Sequence, residues 1–242
     1  MCGRYASFRE SQDLADDFQV VEMTEAARTT LASWNVAPTD SVRIIVDRAA
    51  AGPDTPPAQR QMHAARWGLI PSWSTCVAIG ARMINARRES ISQKPVFAGA
   101  AASKRCLVLA DGYYEWQRVG SHSNGKPRKV PFYIHGEGSP ITFAGLYSWW
   151  RNRACADDDP NRWVLSTTIV TTSARDGLEA IHDREPVMLR PDLVDSWLDP
   201  AMTDLADVEQ LLAEPGPPVS WHRVAPAVGN VRNNAAQLIE PV

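Results

Sequence analysis

The chain has 242 residues, enough for one large domain or two small ones with a substantial core. Its 44% hydrophobic and 22% charged residues describe an ordinary globular composition, and the formal net charge of −3 excludes a strongly basic nucleic-acid binder of the histone kind. A basic cleft on an acidic body stays open, because the field depends on where the charges sit. The four cysteines, Cys2, Cys76, Cys106 and Cys155, form no C-x-x-C pair and have no histidine at zinc-finger spacing, so neither a metal site nor a disulfide scaffold is expected. Residues 1–20 carry no signal-peptide pattern, and no apolar run is long enough to span a bilayer. These features read as a cytoplasmic protein with reduced thiols.

In chain order, Ser7 followed by Glu10 resembles a capping box, predicting a short helix over Glu10–Phe18. A polar, helix-compatible stretch runs to about Ser33 and leads into W-N-V-A-P at Trp34–Pro38. Val42–Val46 reads as a strand, and the Ala- and Pro-rich Ala49–Arg60 as an exposed loop. Asn85–Ser92 has a weak helical spacing. Cys106–Ala110, Val130–His135, Ile141–Tyr147 and Val164–Thr172 carry the aromatic and β-branched residues of strands, and Asp111-Gly112 reads as a turn between strands. Ser121–Lys129 and the acidic Ala154–Asn161 are expected loops. Helices are expected at Asp192–Leu198, with Pro191 and Asp192 at its start, and at Asp204–Ala213. Strands with interspersed helices and no βαβ rhythm predict an α+β fold, and no linker or repeat divides the chain, so 1–242 reads as a single domain.

Five segments contain residues suited to chemistry. In M-C-G-R-Y, removal of Met1 would leave Cys2 with an α-amine and a thiol on adjacent carbons. Their unperturbed pKa values are about 7.7–8.0 and about 8.5, so both reach nucleophilic form more readily than lysine. Such a pair reacts with an aldehyde in two steps: the amine forms a Schiff base, and the thiol closes a five-membered thiazolidine, a step favoured by being intramolecular. An unremarkable small second residue is the competing interpretation of Cys2 taken alone. In L-I-P-S-W and M-I-N-A-R-R-E, Trp73 offers a stacking face, Asn85 a positioning amide, and Arg87 and Arg88 phosphate contacts; a core Trp and a solvated helix face would explain them equally. In D-G-Y-Y-E-W, Glu115 lies among aromatics where desolvation would raise its pKa and suit it to acid–base work, although a surface glutamate on an alternating strand explains the motif as well. In A-I-H-D-R-E-P, His182 is a candidate proton shuttle and Arg184 a phosphate contact, against plain exposure on a loop. V-G-N-V-R-N-N at Val228–Asn234 is either a turn closing the fold or part of a binding wall.

Taken together, M-C-G-R-Y, W-N-V-A-P, R-W-G-L-I-P-S-W, I-N-A-R, L-A-D-G-Y-Y-E-W, I-H-D-R-E-P and V-G-N-V-R-N, in this order, closely resemble the SRAP family (SOS response-associated peptidase, or abasic-site processing proteins). The resemblance implies a curved, barrel-like, mostly antiparallel β core with peripheral helices and a positively charged cleft. It implies that Cys2 captures the aldehyde of an abasic site in single-stranded DNA as a thiazolidine, with no cofactor or metal, in a protein acting as a monomer and associated with the nucleoid when bound to DNA. Asn85, Glu115 and His182 match the family's other catalytic positions. Arg4, Arg87 and Arg184 match backbone-binding positions, and Pro38 and Trp73 match cleft residues beside the lesion. Abasic-site lyase and autopeptidase activities come with the same resemblance. Two departures stand out. Ser74 follows Trp73 where some members have a second aromatic, which removes stacking area. Glu185 follows Arg184 where a hydrophobic residue is usual, and a carboxylate there is expected to weaken DNA affinity or raise the histidine's pKa. Two other function classes remain at this level: a self-processing N-terminal-nucleophile peptidase using Cys2, and a non-catalytic reader of single-stranded or modified DNA.

Overall fold

The computed structural model describes residues 2–48, 58–121, 125, 127–138 and 140–242. In chain order its elements are β1 (Tyr5–Ser7), α1 (Ser11–Asp17), β2 (Glu22–Met23), α2 (Glu25–Arg28), β3 (Ser33–Val36), β4 (Ser41–Arg48), β5 (Gln59–Trp67), β6 (Asn85–Arg87), α3 (Pro95–Ser103), β7 (Arg105–Ala110), β8 (Gly112–Ser121), β9 (Pro127–His135), β10 (Ile141–Arg151), β11 (Trp163–Ser173), β12 (Arg184–Pro186), α4 (Val194–Leu198), α5 (Leu205–Ala213) and β13 (Ser220–Arg223). The fold is α+β, as the strand-rich sequence predicts.

Five strands close on themselves. β5 pairs with β4, β4 with β7, β7 with β10 and β10 with β11, all antiparallel. A short parallel seam, Ser166 opposite Arg66 and Thr167 opposite Trp67, joins β11 back to β5. Closure removes the free edges that an open sheet of these strands would expose. Beyond the seam β5 ends and β6 takes its place on the same edge of β11, with Asn85 opposite Ile169 and Arg87 opposite Thr171. Gly68 permits the exit between them: its φ is +121°, and a Cβ there would lie 2.4 Å from the carbonyl oxygen of Gly80.

Alternation along these strands divides the core in two. Ile44, Trp67, Cys106, Val108, Phe143 and Ile169 share one cluster with Cys2, Tyr5 and Tyr113. Their neighbours Ile45, Leu107, Leu109, Ala144, Leu146 and Val170 pack instead against Leu14, Phe97, Trp197, Val208 and Leu212 of the helices. Helices of five to nine residues are marginal alone, so this packing, rather than propensity, holds them. Arg105 caps two of them at once, donating to the carbonyls of Ala101 and Ala102 from α3 and of Trp197 and Asp199 from α4.

The second sheet has the order β13-β9-β8-β1-β3. Tyr5 of β1 lies opposite Val36 on one side and Tyr113 on the other. Its ring meets Trp67 and Phe143 edge-on at centroid distances of 5.1 and 5.9 Å, which locks this sheet onto the barrel. Asp111, the only residue between β7 and β8, turns the chain from one sheet to the other. Its carboxylate accepts from the backbone N–H of Phe8 and Arg9 and from Arg9 Nε. The sequence reads a turn here, and the structure uses it as a corner between sheets.

Several expectations are corrected. Ser7 is no helix cap: it ends β1, its hydroxyl and carbonyl accept from Arg43, and Glu10 stands at the N-cap without a side-chain cap bond. The helix-compatible stretch to Ser33 contains only β2 and the four-residue α2. Asn85–Ser92 is β6 followed by a 3-10 turn, because the open edge of β11 supplies backbone partners that outweigh its weak helical spacing. Gln59 and Arg60, placed in the loop, begin β5, while residues 49–57 of that loop lie outside the described residues. Of the polar loop 121–129, residues 122–124 and 126 likewise lie outside them; Ser121 ends β8 and Pro127–Lys129 open β9. Helix α3 has no sequence signal beyond Pro95, since its Ala- and Gly-rich composition lacks a clear polar face. No helix among the described residues is long and apolar enough to cross a membrane.

Arg43 is 2% exposed and ties β4 to the N-terminal segment, donating to the carbonyls of Ser7 and Arg9 and to the hydroxyls of Ser7 and Ser11. R43M is expected to orphan these acceptors at about 1–3 kcal/mol each where they stay buried. Thermal unfolding should then shift down by at least 5 °C, at roughly 2–4 °C per kcal/mol for a chain of this size.

Candidate functional site

The site forms where β1, β6, β8 and the segment before β12 converge. Cys2 lies three residues before the start of β1 and is fully buried. Asn85, first residue of β6, donates from Nδ2 to the Cys2 carbonyl at 2.8 Å. Asn85 is set by the parallel pairing of β6 with β11, so barrel closure and site geometry share one strand. Burial pushes the Cys2 thiol well above its ordinary pKa, and the negative charge of Glu115 pushes in the same direction.

Glu115 lies on β8, 4% exposed. The sequence leaves open a surface glutamate alternating with buried aromatics. Instead Tyr113, Tyr114 and Glu115 are all buried, because the barrel covers one face of the sheet and the C-terminal turn the other. Desolvation raises the Glu115 pKa, and the nearby His182 opposes that rise. His182 Nε2 stands 4.0 Å from Glu115 Oε2. The backbone N–H of Arg184 donates to His182 Nδ1 at 3.0 Å, and Asp183 Oδ1 is also 3.0 Å from Nδ1. With Nδ1 accepting from Arg184, a neutral ring carries its proton on Nε2, on the Glu115 side. A protonated ring donates from Nδ1 to Asp183 instead. Either form of the ring therefore finds a hydrogen-bond partner at Nδ1. Gln117 Nε2 holds the approach to this segment by donating to the Ala180 carbonyl at 2.8 Å.

The structure thus brings Cys2, Asn85, Glu115 and His182 to one place. The flanking expectations sort differently. Arg87 is exposed on β6, two residues from Asn85. Trp73 is 65% exposed, on a turn built by Ser74. Ser74 is buried; its hydroxyl donates to the Cys76 carbonyl and accepts from the Cys76 N–H, while its carbonyl accepts from Trp150 Nε1. The missing aromatic at 74 therefore has a structural counterpart, a polar turn residue. Pro38 is half-buried in the turn joining β3 to β4, where Thr39 adopts a φ of 82°. Arg4 is occupied internally: Nη1 donates to Asn35 Oδ1 at 2.7 Å and to the Val228 carbonyl at 3.0 Å, and the guanidinium lies 6.0 Å from the Trp116 ring. Arg88 turns away, donating to the Leu212 carbonyl. Arg184 makes a bidentate pair with Glu89 at 2.7 and 3.0 Å and donates to the Thr171 carbonyl.

Two residues carry weight that sequence reasoning did not assign. Asn35, inside W-N-V-A-P, donates from Nδ2 to the carbonyls of Val228, Asn230 and Asn233. Of the two readings of Val228–Asn234, the observed contacts are those of a turn closing the fold. Arg175 explains Glu185, whose carboxylate is 1% exposed and 2.8 Å from Arg175 Nε. Strand alternation sends the two side chains of Arg184 and Glu185 to opposite faces. Glu185 therefore lies in a small cavity with Arg88, Met188 and Leu212, on the opposite face from Arg184, and pairs with the half-buried Arg175.

Comparisons with known proteins cover nearly the whole chain. The family model described as SOS response associated peptidase (SRAP) matches residues 1–231. A Bacillus subtilis (strain 168) protein named abasic site processing protein YoqW is 34% identical over 99% of both chains. The Escherichia coli (strain K12) protein named abasic site processing protein YedK is 29% identical over 100% of both. A crystal structure of a Bacteroides thetaiotaomicron protein superposes with a TM-score of 0.78 over 100% of both chains at 21% identity, a likeness of fold.

A raised Glu115 pKa has a defined sign in stability. The folded state holds this proton more tightly than the unfolded chain, so the contribution is complete below the unfolded value of about 4.3 and is lost as pH rises through the folded value. E115Q removes the titration. It is expected to gain melting temperature relative to the parent protein as pH rises from about 4 toward 8. A difference independent of pH would contradict the burial of an ionisable Glu115.

Proposed function

Because the chain belongs to the SOS response associated peptidase (SRAP) family, we propose that it processes abasic sites in single-stranded DNA by capturing them covalently through Cys2 once Met1 has been removed. The observation that carries this reading is the seating of Cys2. Its thiol is buried beside the Glu115–His182 pair, and its carbonyl is held by Asn85. An aminothiol fixed at its carbonyl has little freedom left, which favours ring closure over release of the first adduct.

The chemistry follows from groups that exchange protons. The freed α-amine of Cys2 adds to the aldehyde carbon of the ring-opened sugar. Loss of water from that adduct needs a proton, which Glu115 in its proton-bearing form or protonated His182 supplies. The resulting Schiff base is attacked by the Cys2 sulfur, whose proton passes to the carboxylate or imidazole left by the previous step. The balance is aldehyde plus aminothiol giving thiazolidine plus one water. Asn85 orients the Cys2 backbone throughout, and His182 also serves the sugar hydroxyl during ring opening and reversal. Arg87, Arg184 and Arg4 are the backbone contacts of this reading, with Trp73 and Pro38 beside the lesion. An abasic nucleotide offers no base edge, so charge and stacking set affinity and the aldehyde sets specificity. The adduct shields the lesion, in keeping with a role in the DNA damage response.

Incubation with single-stranded abasic DNA is expected to give a denaturation-resistant adduct on a gel. C2A should form none. C2S should give product only when borohydride traps the Schiff base, because an oxygen closure reopens readily. An undiminished, reductant-independent adduct from C2A would overturn the assignment.

A further inference from the structure

The Arg184 guanidinium is already gripped by a carboxylate. Glu89 accepts from Nη1 at 2.7 Å and from Nη2 at 3.0 Å, the fork-to-fork geometry in which arginine takes a phosphate. The two partners are unequally placed: the Arg184 side chain is 11% exposed and that of Glu89 43%. The carboxylate is thus the solvent-facing member and stands on the side from which a strand would arrive. Hydrogen bonding to Arg184 holds the Glu89 carboxyl below its usual range, so it is ionised across the physiological span. Arg184 does not depend on Glu89 alone for its position, because Nη2 also donates to the Thr171 carbonyl at 2.7 Å. Thr171 is paired with Arg87 across β6 and β11, and Asn85 lies two residues before Arg87 on the same strand face. The occupied fork therefore sits on the strand pair that leads to Cys2.

From this geometry we infer that Glu89 is a built-in competitor for DNA phosphate at Arg184, and so sets how strongly the protein holds undamaged strand. The inference rests on the proposed DNA-binding role of this cleft. A phosphate reaching Arg184 must displace Glu89 and meets its negative charge in doing so, while Arg87 stays open. Reversible affinity for intact single strands is thereby kept low, and retention depends on the covalent step at an aldehyde. Glu89 is in this sense a specificity-determining residue, acting through Arg184 without touching the reacting atoms.

The test is binding of a fluorescent undamaged single-stranded oligonucleotide, measured over a range of salt concentrations with the full chain. E89Q and E89A are expected to bind roughly three- to ten-fold more tightly, which corresponds to about 0.7–1.4 kcal/mol. The slope of log affinity against log salt should steepen by about 0.7 for the one added phosphate. E89Q/R184A should lose the gain, and at saturating abasic DNA the crosslinking rate of E89Q should match that of the parent protein. Unchanged or weaker binding by both Glu89 variants, with an unchanged slope, would overturn the inference and leave Glu89 as a support for Arg184. The covalent reading is judged separately: a parent protein that binds strands but forms no adduct contradicts the proposed capture chemistry, while the Glu89 comparison still decides this inference.

Discussion

The insertion of β1 between β3 and β8 is the constraint on which the site depends. Its middle is fixed by Tyr5, whose ring fills the space between Trp67 and Phe143. Its far end is fixed by Arg43 and Asp111, which satisfy the backbone of Ser7, Phe8 and Arg9. Cys2 lies just upstream of this anchored strand, and its carbonyl is caught by Asn85. A chain terminus is ordinarily among the least ordered parts of a domain unless it is tied down. Here a strand pairing, an aromatic wedge and a buried arginine do the tying within nine residues. Asn85 in turn owes its place to β6 on the open edge of β11, so the barrel supplies one wall of the seat and β8 of the second sheet another.

Burial has a chemical consequence as well as a mechanical one. The Cys2 thiol and the Glu115 carboxyl are both pushed toward their proton-bearing forms, and each one's charge disfavours the other's. His182 is a nearby group that offsets Glu115, and either form of its ring finds a hydrogen-bond partner. Such a cluster holds its protons and exposes little free thiolate, which would otherwise invite oxidation. Further out the logic reverses. Arg4 and Arg184 are occupied by Asn35 and Glu89, and Glu185 is drawn into a buried pair with Arg175. Arg184 and Glu185 thus keep their charges in internal ion pairs.

Much of the architecture was legible from composition and pattern. The β-branched runs marked β4, β7, β9, β10 and β11, and Asp204 with its apolar spacing marked α5. What failed did so for tertiary reasons. β5 opens on three polar residues, Gln59–Gln61, and shows no apolar alternation, so its strand character comes from neighbours on both edges. β6 follows the vacancy beside β11 rather than its own propensity. The motifs located Cys2, Asn85, Glu115 and His182 but left the burial of Glu115 undecided between desolvation and a surface position, because that burial is created by a sheet assembled from distant segments. The same limit hid the partners of Glu185 and Arg184, since Arg175 and Glu89 are near them only in the folded chain.

The central claim is that reactivity belongs to both heteroatoms of a freed Cys2. Mass spectrometry of the conjugate with a short single-stranded abasic oligonucleotide tests it most directly, combined with thiol alkylation before digestion. The account predicts a protein lacking Met1, a conjugate mass equal to the sum of the reactants less one water, and, when the conjugate is alkylated in denaturant, an N-terminal peptide in which Cys2 resists labelling while the free Cys76, Cys106 and Cys155 are labelled. A conjugate attached through a lysine, or one through the α-amine with the Cys2 thiol still open to alkylation, would contradict it.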